Sequence, residues 1–387
     1  MTANHADQPA TPVPAPVSAE ANGLSQWSLI RRRFSQHRLA VVSFFALQVI
    51  YLVAGLGDFF APYPKQWRNL DFSYCPPQQI RWDLEHGLHV HAMQLEVDPV
   101  TFERRYRVDR NRAVPLSFFA RGTEYRFWGI FNYDRHFLGV NQEGYRQARP
   151  ADSEAPPFYL LGADLYGHDI LSRIILGAQI SLSIGLVSIF STFLIGITVG
   201  GISGYMGGRV DSLIQRGIEV VNSLPQLPLW LALSAAMPRE WSAIQAYFAI
   251  TIVLSVMGWT GLARVVRGKL LSLREEDYVV AARLMGASHA RILCRHLLPG
   301  FTSHIVVAIT MSIPGMILGE TALSFIGLGL RSPVVSWGVM LQPCIDLQVL
   351  RHYPWMIMPV VAIALTVLAF NFLGDGLRDA ADPYSTR

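Results

Sequence analysis

Apolar residues in this chain are gathered into long runs that are separated by polar stretches. A helix that crosses a membrane needs about 20 consecutive, mostly apolar residues, and several runs approach or reach this length. These runs are residues 39–60, 180–203, 219–237, 243–263, 302–323 and 354–374. The pattern therefore predicts an all-α membrane protein with six transmembrane helices.

A long polar stretch, residues 61–160, separates the first predicted span from the others. Segments within it, such as residues 88–95 and 125–130, have the composition that is typical of short strands. Its basic and acidic residues nearly balance, which favours a packed domain over a disordered linker. We therefore expect an insert with an α+β or β-rich fold, whose ordered part covers residues 65–158.

The two ends of the chain are expected to be tails. Residues 1–38 are rich in proline and alanine and then basic, and the first 23 are not expected to pack. The first span is expected to be an uncleaved anchor, because arginines rather than an apolar signal core precede it. Residues 161–375 are the expected core of five further helices, and residues 376–387 form a second tail. The net charge of +4 is modest and predicts no nucleic-acid partner.

Basic residues indicate which loops face the cytoplasm, since short loops that carry them tend to stay inside. Four arginines (Arg31, Arg32, Arg33 and Arg38) precede the first span, and the loop over residues 264–300 carries seven basic residues against three acidic ones. With six spans, both termini and this loop are then cytoplasmic. The long insert is placed outside, because long segments are translocated largely regardless of their charge.

The segment over residues 278–299, which we call the coupling segment, has an unusual order of small and turn-forming residues. Ala281 and Ala282 are followed by Gly286 and then by Leu298 and Pro299. Alanines would let a partner surface approach closely, the glycine supplies a turn that needs no Cβ, and the proline is expected to end the second helix. The segment resembles the cytoplasmic coupling loop of ATP-binding-cassette import permeases, which docks into a groove on a separate ATPase subunit.

The resemblance extends over residues 158–383. The stretches that carry it are residues 161–173, 177–182, 204–211, 320–329, 336–338 and 368–379. In order and register they resemble the "C" member of the permease pair in the dipeptide, oligopeptide and nickel importer family. Two departures stand out: Val280 occupies the place of the family's usual coupling glutamate, although Glu275, Glu276 and Asp277 lie just upstream, and the external insert is long.

This resemblance implies a type I importer permease fold in the bacterial inner membrane. It also implies four kinds of contact: a homologous second permease, two ATPase subunits, a periplasmic substrate-binding protein and membrane lipid. The chain has no phosphate-binding loop of the Gly-x4-Gly-Lys-Ser/Thr type, because its only Gly-Lys pair, Gly268-Lys269, is followed by Leu270. We therefore expect no enzymatic activity and no cofactor in this chain, with ATP bound by the partner subunits.

Several polar and helix-breaking residues within the spans are candidates for the solute pathway or its gate. Prolines can mark broken helices that line a pathway or kinks that packing compensates, and ionisable groups in a membrane are functional candidates. For Glu320 a structural hydrogen-bonding role is an equal alternative. The candidates are Asn222, Pro225, Pro314 and Glu320, with Glu219, Pro228 and Pro359 as further members.

Metal and disulfide chemistry receive little support from the sequence. His86, His89 and His91 lack a nearby cluster of acids or cysteines and are interpreted as surface residues, so no metal site is predicted. Cys75 and Cys344 would share an oxidising compartment, but we expect two unpaired thiols.

The sequence thus predicts the membrane-spanning subunit of an ATP-driven importer for peptides or peptide-like solutes. Nickel, glutathione, opines and peptide antibiotics remain alternative solutes. A membrane-anchored sensor or enzyme that acts through the insert is the alternative class; it would require a nucleophile or metal constellation, which we do not find in residues 65–158. A secondary transporter would leave the coupling segment unexplained.

Overall fold

The computed structural model describes residues 26–97, 99–100, 104–127, 129–149, 154–238 and 240–381. The predicted unpacked residues 1–23 lie outside this part of the chain. The α-helices are α1 Gln26–Gln36, α2 Arg38–Gly55, α3 Gly57–Phe60, α4 Gln142–Ala148, α5 Ile170–Met206, α6 Gly208–Ser223, α7 Gln226–Ala235, α8 Ala243–Leu273, α9 Asp277–Leu284, α10 His289–Arg291, α11 Thr302–Phe325, α12 Trp337–Leu341, α13 Leu347–His352 and α14 Pro359–Ala381.

Five helical segments within the described residues are long and apolar enough to cross a membrane. They are α2, α5, α8, α11 and the segment Pro354–Ala381, which contains α14. The predicted runs at 39–60, 180–203, 243–263, 302–323 and 354–374 fall largely on these helices. The membrane class and helical architecture are therefore as predicted.

The predicted span over residues 219–237 is not one long helix, and it is broken at Pro225, one of the prolines for which a broken or kinked helix was considered. Helix α6 ends at Ser223, Leu224 is extended, and the shorter apolar helix α7 begins at Gln226. Pro225 causes this break, because a proline ring disfavours helical geometry in the residue before it and the proline lacks an N–H to continue the ladder. The sixth apolar segment is thus a helix of 10 residues after a bend.

Helix α5 packs against α8 along a row of glycines. An added Cβ would lie 2.9 Å from Leu262 at Gly196, 2.5 Å from the Ala263 carbonyl at Gly200, and 2.8 Å from Leu270 at Gly204. The backbones therefore approach one another as closely as small residues at every fourth position permit. On the other side, α2, α5, α11 and α14 enclose an apolar core that includes Leu182, Ile317 and Phe370.

The insert contains a four-stranded antiparallel sheet in the order β1-β2-β3-β4. The strands are β1 Arg81–Asp83, β2 Gly87–Val97, β3 Arg104–Phe127 and β4 Phe131–Val140. Its core contains Val90, Val114, Tyr145 and Phe158, so the predicted β-rich insert is confirmed. The insert also contacts the segment between α13 and α14, since Tyr74 stacks on Tyr353 with ring centroids 3.8 Å apart.

Candidate functional site

The coupling segment folds as a helix, a tight turn and a second helix. Helix α9 ends at Leu284, and Gly286 takes a left-handed backbone with φ of +78°. The Ser288 hydroxyl then accepts a hydrogen bond from the Arg291 N–H and caps the second helix. An added Cβ at Gly286 would meet no atom within 4 Å, so the available space does not require a glycine. The left-handed backbone does, because residues with a Cβ disfavour that conformation.

Proline 299 does not end the second helix. The chain continues from α10 through a π-helical turn, Ile292–Leu297, and a 3-10 turn, Leu298–Phe301, directly into α11. Proline lacks the N–H of a regular helix, and its ring crowds the carbonyl four residues earlier. A change of helix type around Pro299 accommodates both effects, so the second half of the coupling segment is joined directly to a membrane helix.

One face of the coupling segment packs inward. Val279 and Ala282 are buried, as are Ile292 and Leu297, and they form an apolar cluster with Leu262, Val266 and Leu270 of α8. The expectation that both paired alanines are open to a partner therefore holds for Ala281 only, because Ala282 faces this cluster. Leu298 is partly buried against the same cluster.

The other face is apolar and exposed. Leu284 and Met285 are 84% and 82% exposed, and Val280 and Tyr278 are 40% and 46% exposed. Large apolar side chains exposed together mark an interaction surface, and we call these four residues the coupling surface. Leu284 and Met285 were missed at the sequence level, although their position immediately before the turn glycine was a usable signal.

The coupling segment also contacts the C-terminal end of α5. Tyr205 Oη lies 2.8 Å from His289 Nδ1, and the Arg283 guanidinium lies 5.9 Å from the centre of the Tyr205 ring. The three side chains line a cavity of about 560 Å³ together with Gly201, Ile202, Met206 and Leu293. The coupling segment therefore contacts α5 as well as α8.

A partly buried ion pair joins α6 to α8 near the same end of the bundle. Arg267 donates from Nε and Nη2 to the two carboxylate oxygens of Asp211, both at 2.5 Å, and the Ser203 hydroxyl donates to Asp211 Oδ1. The hydrogen bonds from Arg267 hold the pKa of Asp211 below its ordinary value. Sequence reasoning did not single out this pair, because its members are 56 positions apart.

At the opposite end of α11, Glu320 is fully buried at the centre of three serine hydroxyls. Ser324 and Ser336 donate to Oε1, each at 2.8 Å, and Ser181 donates to Oε2 at 3.1 Å. We call these four residues the glutamate hub. Its members lie on α5, on α11 and immediately before α12.

Each serine of the hub also accepts a hydrogen bond from a backbone N–H in the segment over residues 330–339. Ser324 accepts from Leu330, Ser336 from Val339 and Ser181 from Trp337. The carboxylate thus orients three hydroxyls that fix residues 330–339 onto two membrane helices. This geometry favours the structural role of Glu320, and its side chain lines no exposed surface in this conformation.

The other pathway candidates separate into two groups. Asn222 and Pro225 lie in the exposed stretch 222–228, which covers the end of α6 and the start of α7, and Asn222 accepts a hydrogen bond from the Thr260 hydroxyl at 3.0 Å. Pro314, in contrast, is buried within α11. A pathway role for Asn222 and Pro225 stays a prediction that their exposure favours.

The histidines of the insert are placed differently from the sequence-level interpretation. His89 is 2% exposed rather than a surface residue, and its Nε2 lies 3.7 Å from Asp83 Oδ2, so an acid is nearby after all. Among the described residues, nevertheless, no group of three or more histidine, cysteine or acidic side chains could hold a metal ion. Cys75 and Cys344 are unpaired thiols, as expected.

Two protein-family models match this chain, and both describe components of membrane transport systems. Residues 196–386 match the family model described as "binding-protein-dependent transport system inner membrane component". Residues 25–77 match the "N-terminal TM domain of oligopeptide transport permease C".

Three curated relatives share long stretches with the chain. The dipeptide permease DppC of Bacillus subtilis is 40% identical over 57% of this chain and 68% of its own length. The oligopeptide permease OppC of the same organism is 37% identical over 60% and 74%. The glutathione permease GsiD of Pectobacterium atrosepticum is 41% identical over 58% and 72%. Among solved structures, the inward-facing MetNI methionine transporter aligns with a TM-score of 0.43 and 21% identity, over 56% of this chain and 98% of its own.

Proposed function

Because the chain belongs to the family of binding-protein-dependent transport system inner membrane components, we propose that it imports peptides or peptide-like solutes. It is a multi-pass permease subunit of an importer. The observation that carries the transport mechanism is the two-sided coupling segment, with one face packed on α8 and the other exposing Leu284 and Met285.

The proposed solute class rests on what the relatives have in common. They are named for dipeptide, oligopeptide and glutathione transport, and these solutes share amide bonds between amino acids and charged ends. Glutathione itself is a second candidate, since the relative named for it is 41% identical. The test is uptake of labelled dipeptide, longer peptide, glutathione and nickel by cells with and without this gene; loss of nickel uptake alone would refute the proposed class.

The proposed energy source is a pair of separate ATPase subunits that dock on the coupling surface. The chain lacks a phosphate-binding loop, and its exposed apolar residues next to Gly286 are suited to a groove on a partner. A homologous second permease and a periplasmic binding protein complete the proposed assembly. Movement of the docked ATPases would then reach α8, α5 and α11 through the contacts described above.

The proposed orientation places the insert outside and the coupling segment in the cytoplasm. Leu84 in the insert is 94% exposed and Leu284 is 84% exposed, so they are matched reporters. We expect a membrane-impermeant maleimide to label Leu84→Cys in intact spheroplasts and Leu284→Cys only after permeabilisation. The reverse order of labelling would overturn the topology.

The turn at Gly286 gives a second prediction. Gly286→Val is expected to lower uptake about tenfold or more, because strained backbone conformations cost about 1–3 kcal/mol and each 1.4 kcal/mol corresponds to about a tenfold change in population. Gly129 in the β3–β4 turn is the matched control, with φ of +75° and no atom near an added Cβ. We expect Gly129→Val to retain most uptake; equal losses in both variants would argue against a specific role of the Gly286 turn.

A further inference from the structure

Five phenylalanines form a continuous patch where the first membrane helix meets the sheet. Phe59 lies 5.9 Å from Phe119 by ring centroids, Phe60 lies 5.3 Å from Phe137, and Phe118 lies 5.5 Å from Phe137. We call them the phenylalanine cluster. Although these rings contact one another, Phe118, Phe119 and Phe137 remain 59%, 53% and 37% exposed. A contiguous exposed patch of large apolar side chains indicates a surface that is covered by something other than water.

The backbone is distorted in a way that builds this patch. Consecutive residues of a strand normally point to opposite faces, yet Phe118 and Phe119 both contact the ring of Phe137. Phe119 has φ of +57°, a left-handed conformation that costs an ordinary residue about 1–2 kcal/mol. The fold therefore maintains a strained residue that places two adjacent phenyl rings beside one neighbour, and such strain is concentrated at functional positions.

The length of α2 would bring the cluster to the height where a bilayer changes from hydrocarbon to headgroups. Helix α2 has 18 residues, which corresponds to about 27 Å, and the hydrocarbon core of a bilayer is about 30 Å thick. Helix α3, which carries Phe59 and Phe60, follows α2 after a single residue.

The cluster follows a helix with an exposed apolar stripe. Except for Phe44, the large exposed apolar residues of α2 recur every three or four positions, as expected of a stripe that faces lipid, and Phe59 lies in α3 beyond the break at Leu56. The stripe consists of Leu39, Val42, Phe45, Val49 and Leu52.

Cations border the aromatic patch. Arg135 is exposed and lies two residues before Phe137 on β4, hence on the same face of that strand. Arg121 is its register partner on β3; its Nε lies 4.0 Å from Asp134 Oδ2, yet its side chain remains 71% exposed. Aromatic rings favour the interfacial region of membranes, and guanidinium groups bind phosphate oxygens. We propose that the phenylalanine cluster inserts into the headgroup region of the lipid bilayer, with Arg121 and Arg135 on lipid phosphates, and so anchors the sheet to the membrane surface.

The proposed topology decides only which leaflet of the bilayer the cluster enters, and the test of this inference does not depend on solute uptake. A nitroxide label is placed at Phe118→Cys, whose native side chain is already exposed, in a variant of the complete transporter without its native cysteines and reconstituted in phospholipid nanodiscs. Leu84→Cys, at the far edge of the sheet, is the control. Relaxation by oxygen, which concentrates in lipid, is compared with relaxation by a water-soluble nickel chelate.

We expect the logarithm of the oxygen-to-chelate ratio to be positive at Phe118→Cys and negative at Leu84→Cys. Negative values at both positions would show that the cluster faces water and would overturn the proposal. Protection from both reagents at Phe118→Cys would also overturn it, since the cluster would then be covered by a protein subunit. Phe137→Cys reports on the same patch if the first variant does not accumulate.

Discussion

Leu284→Asp combined with Met285→Asp is expected to abolish solute uptake while the protein still accumulates in the membrane. Both side chains are more than four-fifths exposed, so their replacement removes little packing within the chain. Burying two such side chains against a partner would contribute about 3–6 kcal/mol in total. Two carboxylates in an apolar groove would forfeit this contribution and add the cost of desolvating unpaired charges.

The measurement is uptake together with the amount of ATPase subunit that copurifies with the permease. Leu84→Asp, which places a charge at an equally exposed leucine of the insert, is the control and should retain both. Normal copurification and uptake in the double variant would refute docking at this surface.

The variant Val280→Glu tests how the acids upstream contribute. A small change in uptake is expected if Glu275, Glu276 or Asp277 has replaced the family's usual glutamate, and a clear loss of uptake is expected if Val280 makes an apolar contact.

Glu320→Ala is expected to have the largest effect on stability. It removes the carboxylate whose two oxygens accept hydrogen bonds from Ser181, Ser324 and Ser336, and it leaves a cavity in a fully buried site. We expect a loss of about 3 kcal/mol, because a buried polar group left without its partner costs about 1–3 kcal/mol and several are affected. The measurement is the temperature at which half of the purified protein has aggregated.

Glu320→Gln separates hydrogen bonding from charge. Its amide oxygen can still accept from Ser324 and Ser336, and its amide nitrogen can donate to Ser181, so we expect it to recover most of the stability lost in Glu320→Ala. If Glu320→Gln is stable but transports poorly, the charge of Glu320 acts in transport. If Glu320→Ala is as stable as the unmodified protein, the structural role of the hub is wrong.

The overall architecture was predictable because the bilayer imposes a minimum length on apolar runs. Helix α5 begins at Ile170, ten residues before the apolar run over residues 180–203, and the run did not reveal this start because the first turns of the helix are mixed in character. A capping signal was nevertheless present, since Asp169 accepts from the Ser172 N–H three residues later. Pro225 was a candidate for a broken or kinked helix, but the average hydropathy of the run over residues 219–237 could not decide between the two, because it does not register one missing donor.

The candidate sites were predictable where their residues are close in sequence. The order of Ala281, Ala282 and Gly286 located the coupling segment, but which side of the helix faces the partner depends on α8 and could not be derived from the segment alone. The glutamate hub joins residues at positions 181, 320 and 336, whose spacing has no local period. The left-handed Phe119 is likewise set by tertiary packing, since propensity would not place an aromatic residue there.

The glycine row between α5 and α8 limits how the molecule can change shape. With Gly196, Gly200 and Gly204 in van der Waals contact with the facing helix, the two helices cannot slide past one another without raising side chains over backbone. We therefore expect them to tilt together as one stiff lever. Helix α5 has 37 residues and extends about 55 Å, so a small tilt of the pair at one end would displace the opposite end of α5 much further.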